Sequence, residues 1–305
     1  MIAVGLDIGG TKIEVQSFGA DWSVIKKRRV ATPQSYDAFI AAIVDQVDWV
    51  LEGKKHAIPI GISSAGYANP ITGTFLAANI PVSGKPFLED AIKALDAPVT
   101  LINDARAFAQ SEAVFGAAKN ERVVAGVILG TGVGGGIVIE KQLHLGRHAV
   151  GGEFGHCSAP ANVVSQHNLP MVQCRCGRLG CIETLVAGPG LERLCHAMTG
   201  RSLKPVEISE RRGSEQDIAE VWRVWCALAA ELLLSISLSV EPDVFVLGGG
   251  LSQIPGVSDD LSTALEKAHF TPHAGAQIRL AEGGDASGAR GAAYAAWHEI
   301  QANAN

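Results

Sequence analysis

Asp7-Ile8-Gly9-Gly10-Thr11-Lys12 joins two apolar, strand-like runs at residues 2–7 and 11–18. Glycines in such a turn let backbone N–H groups approach a phosphate. Thr11 and Lys12 add donors, and Asp7 is an acid able to hold Mg²⁺. A Walker A loop is excluded, because that motif needs Gly-x4-Gly-Lys-Ser/Thr leading into a helix, whereas a strand follows here. On these residues alone the segment is either a phosphate-cradling hairpin or a plain turn. The pattern then returns. Arg122 to Leu129 is an apolar strand, Gly130-Thr131-Gly132-Val133-Gly134-Gly135-Gly136 reads as a glycine turn, and Ile137 to Ile139 is strand again. Gly130-x-Gly132-x-x-Gly135 matches the dinucleotide fingerprint, which needs a helix directly after it. Ile137-Val138-Ile139-Glu140-Lys141-Gln142-Leu143 has β-branched residues and no helical period. A phosphate hairpin therefore fits better than a Rossmann turn. Two copies of one strand–turn–strand unit are what duplicated lobes would produce.

The rest of the chain alternates strands and helices. Apolar residues at 39, 40, 43, 44, 47 and 50 give Tyr36 to Leu51 a helical period. Ile58 to Ile62 and Val99 to Ile102 read as buried strands, and Phe87 to Leu95 and Ala105 to Ala117 as helices. Glu215 to Val240 is a long helix, Val244 to Leu247 a strand ending in Gly248-Gly249-Gly250, and Gly283-Asp285-Gly288 opens a last alanine-rich helix. This order predicts an α/β fold with a parallel or mixed sheet in each half. At 305 residues, two lobes are the default. The expected division is 1–120, with helix 289–305 packing back on it, and a larger lobe 121–288.

The net charge of −6, from 25 basic and 31 acidic residues, argues against a nucleic-acid-binding face. Lys26-Lys27-Arg28-Arg29 lies in an alternating stretch and reads as a solvated strand face. The chain opens directly on an apolar strand, with no basic leader or cleavage site, so the cytoplasm is the expected compartment. The Cys226–Val240 run contains Glu231 and three serines, so a buried helix is expected there and not a membrane span.

Gly152-Glu153-Phe154-Gly155-His156 precedes Cys174-Arg175-Cys176-Gly177-Arg178-Leu179-Gly180-Cys181-Ile182-Glu183. The spacing His-x17-Cys-x-Cys-x4-Cys takes three of the six cysteines. One imidazole and three thiolates suit a closed tetrahedral Zn²⁺ site. His156, Cys174, Cys176 and Cys181 are the expected ligands, and Cys157 is too near His156 to join the same set. A closed site leaves no position for zinc-activated water. A metal that pins this loop would also fix Glu153 and Glu183. Cys195 and Cys226 read as core residues. Asn103-Asp104 ends an apolar strand before a helix. It is either a helix cap or an acid at the carboxyl end of a sheet, where α/β sites gather.

In this order the motifs resemble the ROK family of sugar kinases, within the actin-like ATPase superfamily. Asp7-x-Gly-Gly-Thr-Lys is similar to that family's first phosphate loop and Leu129-Gly-Thr-Gly-Val-Gly-Gly-Gly to its second. Leu101-Ile-Asn-Asp-Ala, the Gly152–His156 and Cys174–Glu183 signatures, and Val246-Leu-Gly-Gly-Gly-Leu-Ser complete the pattern. Ala77-Ala78-Asn79-Ile80-Pro81-Val82-Ser83-Gly84-Lys85-Pro86 and the insert after His156 are most similar to bacterial N-acetylglucosamine kinases. The insert and Gly283–Ala293 also resemble ROK fructokinases.

The resemblance implies a two-lobe actin-like (ribonuclease H-like) fold with a cleft between lobes. It implies transfer of phosphate from MgATP to a hexose or N-acetylhexosamine 6-hydroxyl, with N-acetyl-D-glucosamine as the first expectation. Asp104 would be the base, and at an unperturbed pKa of roughly 3.9 it would be ionised. Gly66, Asn79, Asn103, Glu153, His156 and Glu183 would hold the sugar. Asp7, Gly9, Gly10, Thr11, Lys12, Gly130, Thr131 and Gly132 would face phosphates and Mg²⁺, and Gly249 and Gly250 the adenosine. Zn²⁺ would be structural. Sugar and ATP are the expected partners, with no nucleic acid and no membrane, and a homodimer is left open. Two departures concern the sugar: Ala65-Gly66 replaces the usual Pro-Gly, and Arg106 replaces an Asn. A fructokinase or glucokinase is the alternative within the class, and a non-catalytic sugar sensor the alternative outside it. The family's repressors carry an N-terminal helix-turn-helix, for which a phosphate loop at residue 7 leaves no room.

Overall fold

The computed structural model describes residues 1–53, 58–69, 72–77, 79–270, 275–284 and 287–304. It divides into two compact units: Met1–Lys119 with Lys141–Val150 and Gly283–Asn305, and Asn120–Glu140 with Gly151–Glu282. Lys141–Val150 thus goes with the first unit, not with the 121–288 segment expected for the second.

In the first unit the sheet order is Val24–Ala31, Lys12–Phe18, Ala3–Ile8, Ile60–Ser64, Val99–Asn103. The first three strands are antiparallel neighbours, and the last two join in parallel. Alternation along Ala3–Ile8 feeds two layers. Val4, Leu6 and Ile8 pack with Phe39 and Ile43 of the Tyr36–Leu51 helix. Ala3 packs with Ala293 of the Ser287–Ala304 helix. The register sets Asp7 opposite Ser63 and Ser64 opposite Asn103. Three parallel strands therefore end together, and their carboxyl ends carry polar residues.

The basic strand faces solvent, as its composition predicts, and its cations are also paired. Lys27 and Arg29 pair with Glu14, which is buried on the neighbouring strand, and Arg28 pairs with Asp45 and stacks over Trp49. Alternation puts successive cations on opposite faces, so each face finds its own partner.

The second unit repeats the plan with Val133–Ile139, Val123–Leu129, Val244–Gly248 and Gln277–Leu280 in that order. Its hairpin is antiparallel and the next two strands are parallel. The turn is shorter than the glycine run predicts, because Gly134, Gly135 and Gly136 lie within the strand. They are in the ladder because a neighbour needs the space. A Cβ on Gly135 would meet the Phe154 ring at 2.6 Å. Helices Pro205–Arg211 and Val257–Ala268 and strand Gln277–Leu280 are elements the sequence patterns did not single out. Helix Gln216–Val240 is long and apolar enough to cross a membrane. Here its Trp225, Leu228, Ala229 and Leu232 are buried in the core of the unit, and the Trp225 indole N–H donates to the Val186 carbonyl at 3.0 Å.

Candidate active-site groups and zinc cluster

The carboxyl ends of the first sheet assemble one group of polar side chains. Asn103 caps the Asp104–Phe115 helix, its side-chain oxygen accepting from the Ala105 N–H at 3.0 Å. Its amide nitrogen donates to the Gly66 carbonyl at 3.2 Å. The cap is therefore Asn103, which leaves Asp104 as the first helical residue. Asp104 is solvent-exposed at its tip, and its Oδ1 accepts from the Ala105 N–H at 2.9 Å. The packing around it still pushes its carboxyl above the ordinary range, opposed by that N–H and by the charge of Arg106, which is buried. Asp104 is thus less acidic than an unperturbed aspartate, contrary to expectation, because desolvation outweighs the helix terminus.

Asp7 is more strongly affected. Burial, with the nearby Asp104 and Glu14 charges, moves it from 3.8 to about 6, even though the Ser63 hydroxyl donates to its Oδ1 at 2.9 Å. Two carboxylates facing one region raise each other's cost, and a divalent cation would relieve it. The Gly9–Lys12 turn is closed by the Gly9 N–H to the Lys12 carbonyl at 2.9 Å and held from behind by the Thr32 hydroxyl on the Gly9 carbonyl at 2.7 Å. Asn79 packs its backbone against Gly10. Thr11 is exposed. Ala78 and Asp285, quoted in the sequence motifs, lie outside the described residues.

The raised Asp7 predicts a specific pH dependence. The native state holds this proton more tightly than the unfolded chain, so its contribution to stability is lost as pH rises from about 4 to about 6. Asp7→Asn keeps an acceptor for Ser63 and removes the charge. Without divalent metal, the variant should be more stable than the wild type by about 2 kcal/mol at pH 7.5 and little changed at pH 4. Denaturant midpoints at the two pH values check this, and an equal difference at both would contradict it.

In the second unit the Gly-x-Phe-Gly-His signature folds onto the glycine strand. Gly152 has φ of +97°, and a Cβ there would sit 2.2 Å from the Gly135 carbonyl, so only glycine fits. Phe154–His156 forms a single 3₁₀ turn that presents the imidazole. The Cys174–Cys181 knuckle is pinned by the Cys174 N–H to Arg178 carbonyl bond at 2.8 Å, and Arg178 donates to the His156 carbonyl at 2.8 Å.

The ligand atoms of His156, Cys174, Cys176 and Cys181 all lie within 4.8 Å of one another. Cys176 and Cys181 sulfurs are 3.5 Å apart, and Cys174 Sγ is 3.7 Å from His156 Nδ1. Tetrahedral Zn–S bonds of about 2.3 Å place sulfurs roughly 3.8 Å apart, so the donor set fits a zinc ion. Burial, helped by Glu183, pushes the Cys174 thiol up to about 12, so protons must leave when a cation enters.

Glu183 connects this cluster to the second glycine turn. Its Oε1 lies 2.9 Å from Cys174 Sγ and 3.7 Å from His156 Nδ1, while its Oε2 accepts from the Val133 N–H at 3.4 Å. Glu153 approaches the other imidazole nitrogen at 3.9 Å. The three side chains expected to hold a sugar from this unit are therefore neighbours.

Beside the second glycine turn is a cavity of about 420 Å³ walled by Gly130, Thr131, Gly188, Val206, Gly250 and Leu251. Gly249, at φ +85°, lies against the Leu129 carbonyl, where a Cβ would approach to 2.5 Å, and the Gly188 N–H donates to the Gly130 carbonyl at 2.8 Å. Ser63, Thr32, Gly188 and Val206 were not expected from the sequence. Ser63 and Thr32 had a readable signal, a polar residue at the end of a strand. Gly188 and Val206 had none.

A model described as the ROK family matches residues 3–299. The chain is 37% identical over 292 residues to an N-acetylgalactosamine kinase of Shewanella sp. (strain ANA-3), covering 95% of this chain and 94% of that protein. It is 39% identical over 299 residues to an N-acetyl-D-glucosamine kinase of Salmonella newport (strain SL254), covering 95% and 97%. A solved ROK family glucokinase from Streptomyces griseus, in complex with glucose and AMPPNP, has a TM-score of 0.74 at 28% identity over 98% of this chain and 100% of that one. Both glycine turns, the Asn103-Asp104 strand end and the cluster of His156 with Cys174, Cys176 and Cys181 lie inside the matched span, and the chain belongs to the ROK family.

Proposed function

We propose that the chain transfers the γ-phosphoryl group of ATP to the 6-hydroxyl of an N-acetylhexosamine, with N-acetyl-D-glucosamine as preferred acceptor. The observation that carries this reading is the strand register that gathers Asp7, Ser63 and Asn103-Asp104 at the ends of adjacent parallel strands. The two curated relatives, both N-acetylhexosamine kinases, support the substrate class.

Asp104 is the assigned general base. It takes the proton from the 6-hydroxyl as that oxygen bonds to the γ-phosphorus and the bond to the ADP oxygen breaks. Asn103, Gly66, Asn79, Glu153, His156 and Glu183 hold the remaining sugar groups. Gly9, Gly10, Thr11, Lys12, Gly130, Thr131 and Gly132 face the phosphates, and Gly249 and Gly250 the adenosine. Mg²⁺, when bound with ATP, neutralises phosphate charge, and Asp7 is the residue here suited to it. A zinc ion would be structural, and His156, Cys174, Cys176 and Cys181 would hold it; the proposed compartment is the cytoplasm. A homodimer is compatible with this assignment and not required by it.

Phosphate-cradling turns together with a strand-end carboxylate favour turnover over mere sugar sensing. The sugar is tested by a coupled ADP-release assay across N-acetylglucosamine, N-acetylgalactosamine, N-acetylmannosamine, glucose, mannose and fructose. A site built for an acetamido group leaves polar atoms unpaired when glucose binds, at about 1–3 kcal/mol. kcat/KM for N-acetylglucosamine should therefore exceed that for glucose by roughly tenfold. Fructose or glucose in first place would replace the N-acetylhexosamine assignment while leaving the kinase assignment standing.

A further inference from the structure

The 420 Å³ cavity of the second unit contains one charged side chain among its described lining residues, Glu192. Its other walls are glycines, prolines, Thr131 and the apolar Val206, Leu251 and Ile254. A carboxylate is an unexpected group beside a turn that cradles phosphates, since it repels them. Its placement gives it a use. Glu192 is four residues after Gly188 on the Gly188–Thr199 helix, so the two share a face about 6 Å apart along the axis. Gly188 itself is bonded to the phosphate turn at Gly130. Moving from that turn toward the apolar end of the cavity, a nucleotide presents phosphates, then the ribose diol, then the base. Glu192 is the one carboxylate among the described lining residues that could meet the diol. Its Oε2 is held by Lys204 Nζ at 2.8 Å, which fixes the carboxylate and offsets its charge. A carboxylate can accept from both hydroxyls of a vicinal diol, as acidic residues do for ribose in dinucleotide sites.

We propose that Glu192 is a specificity-determining residue that accepts hydrogen bonds from the ribose hydroxyls and selects ribonucleotides over deoxyribonucleotides. This rests on the reading of the cavity as the adenosine site. The bland alternative is a surface ion pair that ties Glu192 to Lys204 and touches no ligand.

Calorimetric titration of the full chain with MgATP and Mg-2′-deoxyATP separates these outcomes without depending on the sugar. The wild type should bind ATP about tenfold more tightly than 2′-deoxyATP, the loss expected for one hydrogen bond to a charged group. In Glu192→Ala, ATP affinity should fall about tenfold and 2′-deoxyATP affinity much less, so that the preference disappears. Glu192→Gln, which keeps the shape and one acceptor, should retain part of the preference. Thermal melting confirms that each variant is folded. Equal loss for both nucleotides in Glu192→Ala, or no discrimination by the wild type, overturns the assignment. Val206→Trp tests the underlying reading separately. It fills the cavity, and unchanged ATP affinity in that variant would show that the adenosine binds elsewhere.

Discussion

Replacing Asp104 by Asn is expected to lower kcat by at least about 10²-fold while sugar affinity changes by much less. The amide can still accept from the Ala105 N–H, as Oδ1 does now, so the helix start should survive. What it cannot do is take a proton. Removal of a positioned base acts on the transition state and not on ground-state binding, so kcat carries the loss. The raised pKa of Asp104 adds a second signature. Because only the ionised form is a base, wild-type kcat/KM should fall on the acid side with an inflection above the ordinary carboxylate range. Steady-state rates across pH and calorimetric sugar binding on the variant test this. Near-wild-type turnover would remove Asp104 from the role.

Much of this arrangement was legible in the sequence, for reasons that differ by element. The Asp7–Lys12 hairpin could be read because a period-2 apolar pattern resumes directly after the glycines. The second hairpin was read with too long a turn. Glycine tolerates both a turn and a crowded strand, and only the Phe154 ring, distant in sequence, decides between them. The zinc ligands were readable because cysteine is scarce and the spacing is short. Val206 and Glu192 were not, since an apolar residue and an acid on helices look the same whether or not a cavity lies beside them. The raised Asp7 could not be foreseen either, because its shift comes from neighbours on other strands. Sequence spacing reports local geometry, and electrostatic cost depends on what the fold brings near.

Removal of one zinc ligand is expected to have the other large effect. Purified protein should contain one zinc per chain, and Cys181→Ser or Cys174→Ser should lose it. Both sulfurs are buried, and the knuckle between them has little apolar core of its own, so the metal supplies much of its folding energy. Melting temperature should drop by several degrees, and sugar affinity should weaken by about tenfold or more, as it does when the groups supporting a ligand shell are lost. The two losses should occur together because Glu183 touches both Cys174 and the Val133 N–H, so a loosened cluster releases a carboxylate assigned to the sugar. A chelator should reproduce both changes in the wild type, and added zinc should reverse them. Elemental analysis, melting curves and sugar titration on the same preparations decide the matter. A metal-free protein with unchanged sugar affinity would show that the knuckle folds, and holds Glu183, without the ion.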